Sequence, residues 1–132
     1  MSDLKYIQPD GHFVMPSYTH VVVSERRRTV YVSGQVASDS EGNTVGEGDY
    51  TAQAERVYEN LRVALAAAGA TFTDVTKMTV YVVGLSPEVR AEVGAVRARF
   101  LPTVPPASTL VGVSALAMPG WLIEVEAIAA LD

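Results

Sequence analysis

Cysteine is absent from the sequence, and histidine is nearly so, since His12 and His20 are its only two. The lack of cysteine excludes disulfides and thiolate catalysis, and it fits a reducing cytoplasm as the expected location. Two isolated histidines do not match a metal-binding spacing such as His-Glu-x-x-His, so we expect no metal. A packed or surface histidine is the simpler prediction for His20, with an acid–base role as the alternative.

Long hydrophobic runs and basic charge are also lacking. No apolar stretch approaches the ~18 residues that span a membrane, and no basic segment leads into an apolar one as in a secretory signal. Lysine and arginine number 10 against 15 acidic residues, which gives a formal net charge of -5. Because an acidic chain has no general attraction for phosphate backbones, we expect neither nucleic acid nor membrane as a partner.

The composition is typical of one globular domain. The 132 residues are 48% hydrophobic and 19% charged, which fits a single domain over residues 1–132 and argues against disorder. No glycine cluster precedes a predicted helix, and no Gly-x-Ser-x-Gly motif is present. Phosphate-loop and serine-hydrolase chemistry are therefore not expected.

The strand predictions begin with two β-rich runs, 18–24 and 29–33. They flank the charged tetrapeptide Glu25-Arg-Arg-Arg28, which suggests a hairpin with a solvated turn. Loop-forming residues dominate 38–48. Further strands are predicted at 75–83, 107–113 and 122–130.

Two helices are predicted between these strands. Apolar residues recur at spacings of three and four from Thr51 onward, and Gly69 stands where a cap glycine belongs. Ser86 and Pro87 are residue types that begin a helix, and Glu88 suits its first turn. An apolar stripe then follows at Val89, Val93, Val96 and Phe100.

The element order β-β-α-β-α-β-β predicts an α+β domain in which two helices pack on one face of a mixed sheet. The other face would then need cover. We assign to it a set of mostly apolar strand residues, namely Ser33, Val80, Val82, Leu110 and Ile123. A face of that kind predicts burial against further copies of the chain.

Polar residues in or near the strands are the candidates for chemistry: Tyr18, Ser33, Gln35, Ser108, Thr109, Glu124 and Glu126. The two glutamates are two positions apart in the last strand, so they point to the same face. A carboxylate in a partly buried cleft can act as an acid or base. The alternative is a charged strand face that keeps a sheet edge soluble.

Several segments match one family pattern, in order along nearly the whole chain. They are Pro16-Ser-Tyr18, Tyr31-Val-Ser-Gly-Gln-Val36, Gln53 and Asn60 with Ala68-Gly69, Asp74-Val-x-Lys77, and Ile123-Glu-Val-Glu-Ala-Ile-Ala129. Each segment alone is weak evidence. Together they resemble the YjgF/RidA (Rid) family.

The resemblance implies a chorismate-mutase-like fold and a homotrimer with a cleft at each subunit interface. Proteins of this family hydrolyse enamines and imines derived from amino acids, releasing ammonia and a 2-keto acid without a cofactor. Older family labels include translation inhibitor and endoribonuclease. The resemblance implies Glu124 as the acid–base residue that activates water, and it places in the cleft Tyr18, Ser33, Gly34, Gln35, Ser108 and Thr109.

One departure from the family pattern bears on function. Active deaminases carry Pro-Ala-Arg-Ser, whose arginine grips the substrate carboxylate, whereas this chain has Pro106-Ala-Ser-Thr109. Ser108 cannot supply a bidentate, charge-assisted contact to a carboxylate. The helical asparagine of the cleft is missing too, in the region Glu92-Val-Gly94. A replacement arginine could come from a neighbouring subunit, and the candidates are Arg26 to Arg28, Arg97 and Arg99.

Three functions remain open at this point. The first is hydrolysis of an imine or related C–N compound, with weak or no activity on 2-iminopropionate. The second is a non-enzymatic module that binds a small metabolite in the same cleft. The third, an RNA-directed activity, is disfavoured by the acidic charge and by the absence of an assembled set of metal ligands.

Overall fold

The structure, a computed structural model, describes residues 3–132 and contains six strands, two helices and a short 3-10 turn. In chain order these are β1 (Lys5–Ile7), β2 (Val21–Val23), β3 (Arg28–Val36), α1 (Tyr50–Ala67), the 3-10 turn (Phe72–Asp74), β4 (Val75–Val83), α2 (Pro87–Phe100), β5 (Ala107–Val113) and β6 (Ile123–Leu131). The predicted bounds of β4 and β5 are confirmed. The prediction from sequence missed β1.

The structure contains both predicted helices, with α1 beginning one residue before the predicted Thr51 and α2 beginning at the predicted Pro87. The side chain of Asp49 caps α1 by accepting a first-turn backbone N–H at 3.0 Å, and Gly69 follows the helix with a φ of 81°. Ser86 caps α2 in the same way at 3.1 Å, with Pro87 in the first turn. Within residues 3–132, neither helix combines the length and the apolar character that crossing a bilayer requires.

The four longer strands form one sheet in the order β3-β6-β4-β5. The β4–β5 pair is parallel and the other pairs are antiparallel. The two helices contact each other and cover one face of this sheet. Residues of both layers meet in one core, whose largest fully buried members include Tyr58, Leu61, Leu65, Met78 and Ile123. The predicted α+β architecture is confirmed.

The predicted hairpin between segments 18–24 and 29–33 is wrong. Strand β2 pairs with β1 in a separate two-stranded sheet, whereas β3 pairs with β6. The charged tetrapeptide between them is not a free turn, because Arg26 Nη1 donates to Asp74 Oδ1 at 2.8 Å and to the Ala130 carbonyl at 3.0 Å. These bonds anchor the chain where it passes from one sheet to the other.

The uncovered face of the four-stranded sheet is polar, so the prediction of an apolar face is wrong. Val80, Val82 and Ile123 are at most 2% exposed and lie in the core beneath the helices. Strand alternation turns the neighbouring side chains outward. The uncovered face therefore carries Tyr31, Ser33, Lys77, Thr79, Tyr81, Glu124, Glu126 and Ile128. A face of this composition does not by itself require an apolar partner.

Candidate functional site

Glu124 lies on the uncovered face at the start of β6, in register with Tyr81 of β4. Its side chain passes over the backbone of Gly34 so closely that a Cβ at position 34 would overlap the carboxyl group. The register of β3 against β6 shifts between Val32 and Gln35, a bulge that contains this glycine. The bulge and the missing side chain together make the space that Glu124 occupies.

The two neighbours of Gly34 in β3, Ser33 and Gln35, are both polar. Gln35 Nε2 donates to the Ser33 carbonyl at 3.0 Å, which holds the amide against the bulge. Ser33 is exposed and borders a cavity of about 310 Å³ on the same face, together with Glu126. Four residues predicted for the site, Ser33, Gly34, Gln35 and Glu124, therefore lie together.

The two glutamates of β6 have different surroundings. The Tyr81 hydroxyl donates to Glu126 Oε1 at 2.9 Å, and this hydrogen bond raises the pKa of Tyr81 above its ordinary value. Glu124 accepts no hydrogen bond from any group within residues 3–132. Because β6 lies between β3 and β4, the alternative that these glutamates protect a sheet edge is wrong. Of the two glutamates, Glu124 is therefore the one without a hydrogen-bond partner in the described chain.

A second cavity, of about 1050 Å³, lies on the opposite side of the sheet. We call it the α2–β5 pocket. It is lined by α2, by the β4 and β5 side chains that face the helices, and by the segment 15–20. Thr19 fixes that segment, because its N–H donates to the Pro106 carbonyl at 3.0 Å and its hydroxyl to the Pro105 carbonyl at 2.6 Å. Tyr18, Ser108 and Thr109 border this pocket.

The predicted site residues thus fall into two groups, separated by the sheet. Ser108 is in register with Met78, whose side chain is buried beneath the helices, whereas Glu124 is in register with outward-facing Tyr81. Thr109 is next to Ser108 but turns outward, where its Oγ1 accepts a hydrogen bond of 2.6 Å from Lys77 Nζ. A single chain does not bring Ser108 and Glu124 into one cleft.

The candidate replacement arginines have different partners in the structure. Arg26 is paired with Asp74, and Arg28 donates to the carbonyl of Asp132. Arg99 lies 3.7 Å from Glu55 on the outer surface. Arg97 alone among these candidates lines the pocket that contains Ser108. The sequence could not make this distinction, because all of these partners are distant along the chain.

Arg90 is a pocket residue that the sequence reading missed. It lines the α2–β5 pocket together with Gly94 and Arg97. The positions 90, 94 and 97 follow the i, i+4, i+7 spacing of one helix face, which is the signal that could have revealed them. A Cβ at Gly94 would meet nothing within 4 Å, so the pocket is open where the family asparagine would stand.

Three aromatic rings in edge-on contact lie at the N-terminal side of the pocket. His20 makes edge-on contacts with Tyr18 and His12 at centroid distances of 5.1 and 4.9 Å. Its Nε2 lies 2.8 Å from the Phe13 carbonyl. These contacts support the packed role for His20. Across residues 3–132, no three histidine, aspartate or glutamate side chains are grouped so as to hold a metal ion.

Comparison with known proteins places this geometry in a family. Residues 13–131 match the family model described as Endoribonuclease L-PSP. Protein DfrA of Myxococcus xanthus is 38% identical over 112 residues, which cover 85% of this chain and 83% of that protein. A 2-iminobutanoate/2-iminopropanoate deaminase of Rattus norvegicus is also 38% identical, but over 64 residues that cover 48% of this chain and 45% of that protein.

Solved structures give the same result. YyfB of Yersinia pestis, described as a protein of unknown function of the Rid family, superimposes with a TM-score of 0.91 at 37% identity, covering 98% of this chain and 100% of that one. RidA from Psychrobacter sp. PAMC 21119 superimposes with a TM-score of 0.69 at 31% identity, covering 96% and 99% of the two chains. On the evidence of its sequence, its fold and these relatives, this chain belongs to the YjgF/RidA family.

Proposed function

We propose that the protein binds a small metabolite in a cleft shared by two copies of the chain and hydrolyses an imine, or its enamine tautomer, without a cofactor. Water adds to the imine carbon while Glu124 accepts a proton from it. Glu124 gives that proton to the nitrogen, which forms a carbinolamine. It then accepts the proton of the new hydroxyl group and passes it to the nitrogen as the C–N bond breaks and the carbonyl forms. The products are ammonia and a carbonyl compound.

The observation that carries this proposal is the position of Glu124. Its carboxylate is held over Gly34 in a bulge and is hydrogen-bonded by no described group, while Glu126 beside it is engaged by Tyr81. A general base must be free to take a proton and must lie within hydrogen-bond reach of the reacting water. Among the described carboxylates of β6, Glu124 meets the first condition.

The division of the site by the sheet supports a cleft between subunits. Tyr18 and Ser108 lie on one side and Glu124 on the other, so a complete site needs the pocket of one copy beside the uncovered face of another. The outer edge of β5 is unpaired in the described chain and exposes Leu110 and Val111. A homotrimer is the assembly that the family resemblance implies, and this edge is where we place the contact.

Weak or absent turnover of 2-iminopropionate is expected, because its carboxylate would meet Ser108 on β5, and the arginines of the pocket, Arg90 and Arg97, lie on α2 instead. A hydrogen bond to a charged group contributes roughly 1.5–3 kcal/mol, so its loss lowers kcat/KM on the order of 10- to 100-fold. The test is a coupled assay with freshly generated 2-iminopropionate, in parallel with an arginine-bearing relative. Equal rates for the two proteins would contradict the expectation.

The variant Ser108→Arg tests whether the rest of the site is intact. We expect it to gain activity on 2-iminopropionate, and we expect Glu124→Gln in the same background to abolish the gain. If Ser108→Arg keeps the fold and the assembly but stays inactive, the proposed hydrolysis is wrong. The second candidate function, a module that binds a metabolite without turnover, then takes its place, supported by Ser108 at the position of the family arginine.

A further inference from the structure

We infer that the α2–β5 pocket binds a carboxylate with an apolar body, and that Arg97 is the residue that binds the carboxylate. The inference deepens the proposed function and rests on it for the identity of the pocket. The anion-binding role is thereby transferred from position 108 on β5 to α2, on the other wall of the pocket. The ligand class follows from charge, burial and shape.

The charge of the pocket is opposite to that of the chain. The formal net charge of the chain is -5, yet the pocket lining that the structure describes contains Arg90 and Arg97 and no acidic residue. Such a concentration of positive charge attracts anions locally, whatever the sign of the whole molecule. Small anionic ligands are thus favoured here.

Arg97 is half-buried and lacks a counter-ion. Within residues 3–132, its guanidinium forms no ion pair with a carboxylate. Burial lowers the pKa of Arg97 from its ordinary value, and Tyr58 is the principal group that opposes this effect. Because an arginine stays charged in a protein, the partly desolvated cation is stabilised when an anion enters the pocket.

The existing contacts of Arg97 leave donors for a ligand. Nη1 donates to the Ser17 carbonyl at 2.6 Å, and Nη2 lies 3.7 Å from Met78 Sδ. A guanidinium has more N–H groups than these contacts use, so it can orient itself on the protein and still bind a carboxylate. The hydrogen bond to the Ser17 carbonyl also fixes the orientation of the Arg97 guanidinium group.

The body of the ligand is expected to be apolar. Around the two arginines the pocket is walled mainly by aliphatic side chains, including Val80, Val82, Leu85 and Val93. Its volume of about 1050 Å³ lies at the upper end of the range of about 300–1,000 Å³ found for small-molecule sites. A branched aliphatic acid fills such a pocket better than a three-carbon acid, which leaves these walls without contact.

The probe is 4-methyl-2-oxopentanoate, with its uncharged amide and pyruvate as comparisons. Binding to the full-length protein is measured by titration calorimetry and by the ¹⁵N–¹H signal of Arg97 Nε. We expect the acid to bind at least tenfold more tightly than the amide or pyruvate and to shift the Nε signal, which the amide leaves in place. Equal affinities for acid and amide, or no detectable binding of the acid, would overturn the inference.

Variants assign the effect to one residue. We expect Arg97→Gln to weaken binding of the acid 10- to 100-fold, Arg97→Lys to restore part of it, and neither to alter the affinity for the amide. Arg99→Gln is the matched control, because Arg99 lies two positions away, faces Glu55 and does not line the pocket. Unchanged affinity in a folded Arg97→Gln protein contradicts the inference. If that variant does not fold, the Nε signal of the unmodified protein decides.

Binding is measured without turnover, so this inference and the proposed hydrolysis can fail separately. Glu124→Gln is expected to lose hydrolysis and to keep Arg97-dependent binding of the acid. Binding without hydrolysis in the unmodified protein supports Arg97 and leaves the metabolite-binding module as the function. If the protein hydrolyses an uncharged imine but does not bind the acid, the role of Arg97 is overturned and the proposed hydrolysis stands.

Discussion

A glycine at position 34 is explained by Glu124, which is distant in sequence and fills the space that a side chain at this position would need. The position of Gly34 in the Ser-Gly-Gln segment can be read from the sequence, and so can the carboxylates of the last strand. The overlap between Glu124 and any side chain at position 34 cannot be read from the sequence, because it depends on the register of β3 against β6 and on the bulge between them. Local patterns found these residues, and long-range pairing brought them together.

Replacing Gly34 with alanine is expected to displace the Glu124 carboxylate without unfolding the protein. The overlapping atoms belong to the flexible end of a side chain, and the φ of Gly34 is not positive. We expect the loss of hydrolytic rate to approach that of Glu124→Gln, with the free energy of unfolding lowered by less than about 1 kcal/mol.

Gly94→Ala is the matched control for this experiment. Its added Cβ meets nothing within 4 Å, and alanine is the better helix former in α2, so stability is expected to rise by about 0.5–1 kcal/mol. Urea denaturation at matched protein concentration measures both variants. A Gly34→Ala protein with full activity would show that Glu124 does not need its present position.

Because of the buried Tyr58, we expect the free energy of unfolding to fall at alkaline pH. Burial raises the pKa of Tyr58 to about 12, and the charge of Arg97 opposes the rise. Because the folded-state pKa lies above the unfolded value near 10, the stability that depends on neutral Tyr58 is present below pH 10 and is lost as the pH rises towards 12. Two pH units correspond to roughly 3 kcal/mol.

The variant Tyr58→Phe isolates this contribution. The Tyr58 hydroxyl is buried and makes no hydrogen bond of normal geometry within residues 3–132. It still interacts electrostatically with the nearby Arg97. Phenylalanine should therefore leave stability at pH 7 unchanged or slightly raised, and it should reduce the fall between pH 10 and 12. Parallel pH profiles for the two proteins would rule out Tyr58 as the source.

At the scale of elements, the helices could be predicted and the pairing of the short strands could not. α1 and α2 have their caps and their apolar periodicity within one stretch of chain, so propensity and packing agree. β2 has three residues, and its partner β1 is as short. Arg26, which follows β2, forms a buried ion pair with Asp74, and these two residues are far apart in sequence.

The Arg26–Asp74 pair is expected to contribute strongly to stability. The side chains of Arg26 and Asp74 are 8% and 12% exposed, and removing one partner leaves the other charge largely desolvated. We expect Arg26→Ala to lower the free energy of unfolding by about 3 kcal/mol. The adjacent Arg27 is exposed, so Arg27→Ala is the control and should change it by less than about 0.5 kcal/mol. Equal effects of the two variants in urea denaturation would refute the role of the pair.

At the scale of the whole molecule, the arrangement of the site makes assembly the central prediction. Light scattering after gel filtration should give about three times the chain mass of 14.1 kDa, since the pocket and the Glu124 face need different copies to meet. A charged substitution at the exposed β5 edge, Val111→Asp, should shift the protein towards smaller species. A clean monomer at micromolar concentration would contradict both the trimer and the shared cleft.

The family description Endoribonuclease L-PSP leads to a second test at this scale. We expect no RNA cleavage by the purified protein, because a chain with a formal net charge of -5 repels phosphates on average. Labelled RNA is incubated with the protein and with Glu124→Ala under nuclease-free conditions. Cleavage that co-purifies with the protein and disappears in the variant would overturn this expectation.

The sheet that separates Ser108 from Glu124 also bears on how such a protein can diverge. Substitutions that reshape the α2–β5 pocket alter the helix-covered side of the sheet, whereas the carboxylate lies on the other side, in a bulge of β3 and β6. Within one chain, substitutions in the pocket therefore have no direct steric route to Glu124, the proposed acid–base group. Under the proposed function, the residues that choose the ligand and the residues that place Glu124 can vary separately, because they belong to opposite surfaces of the same sheet.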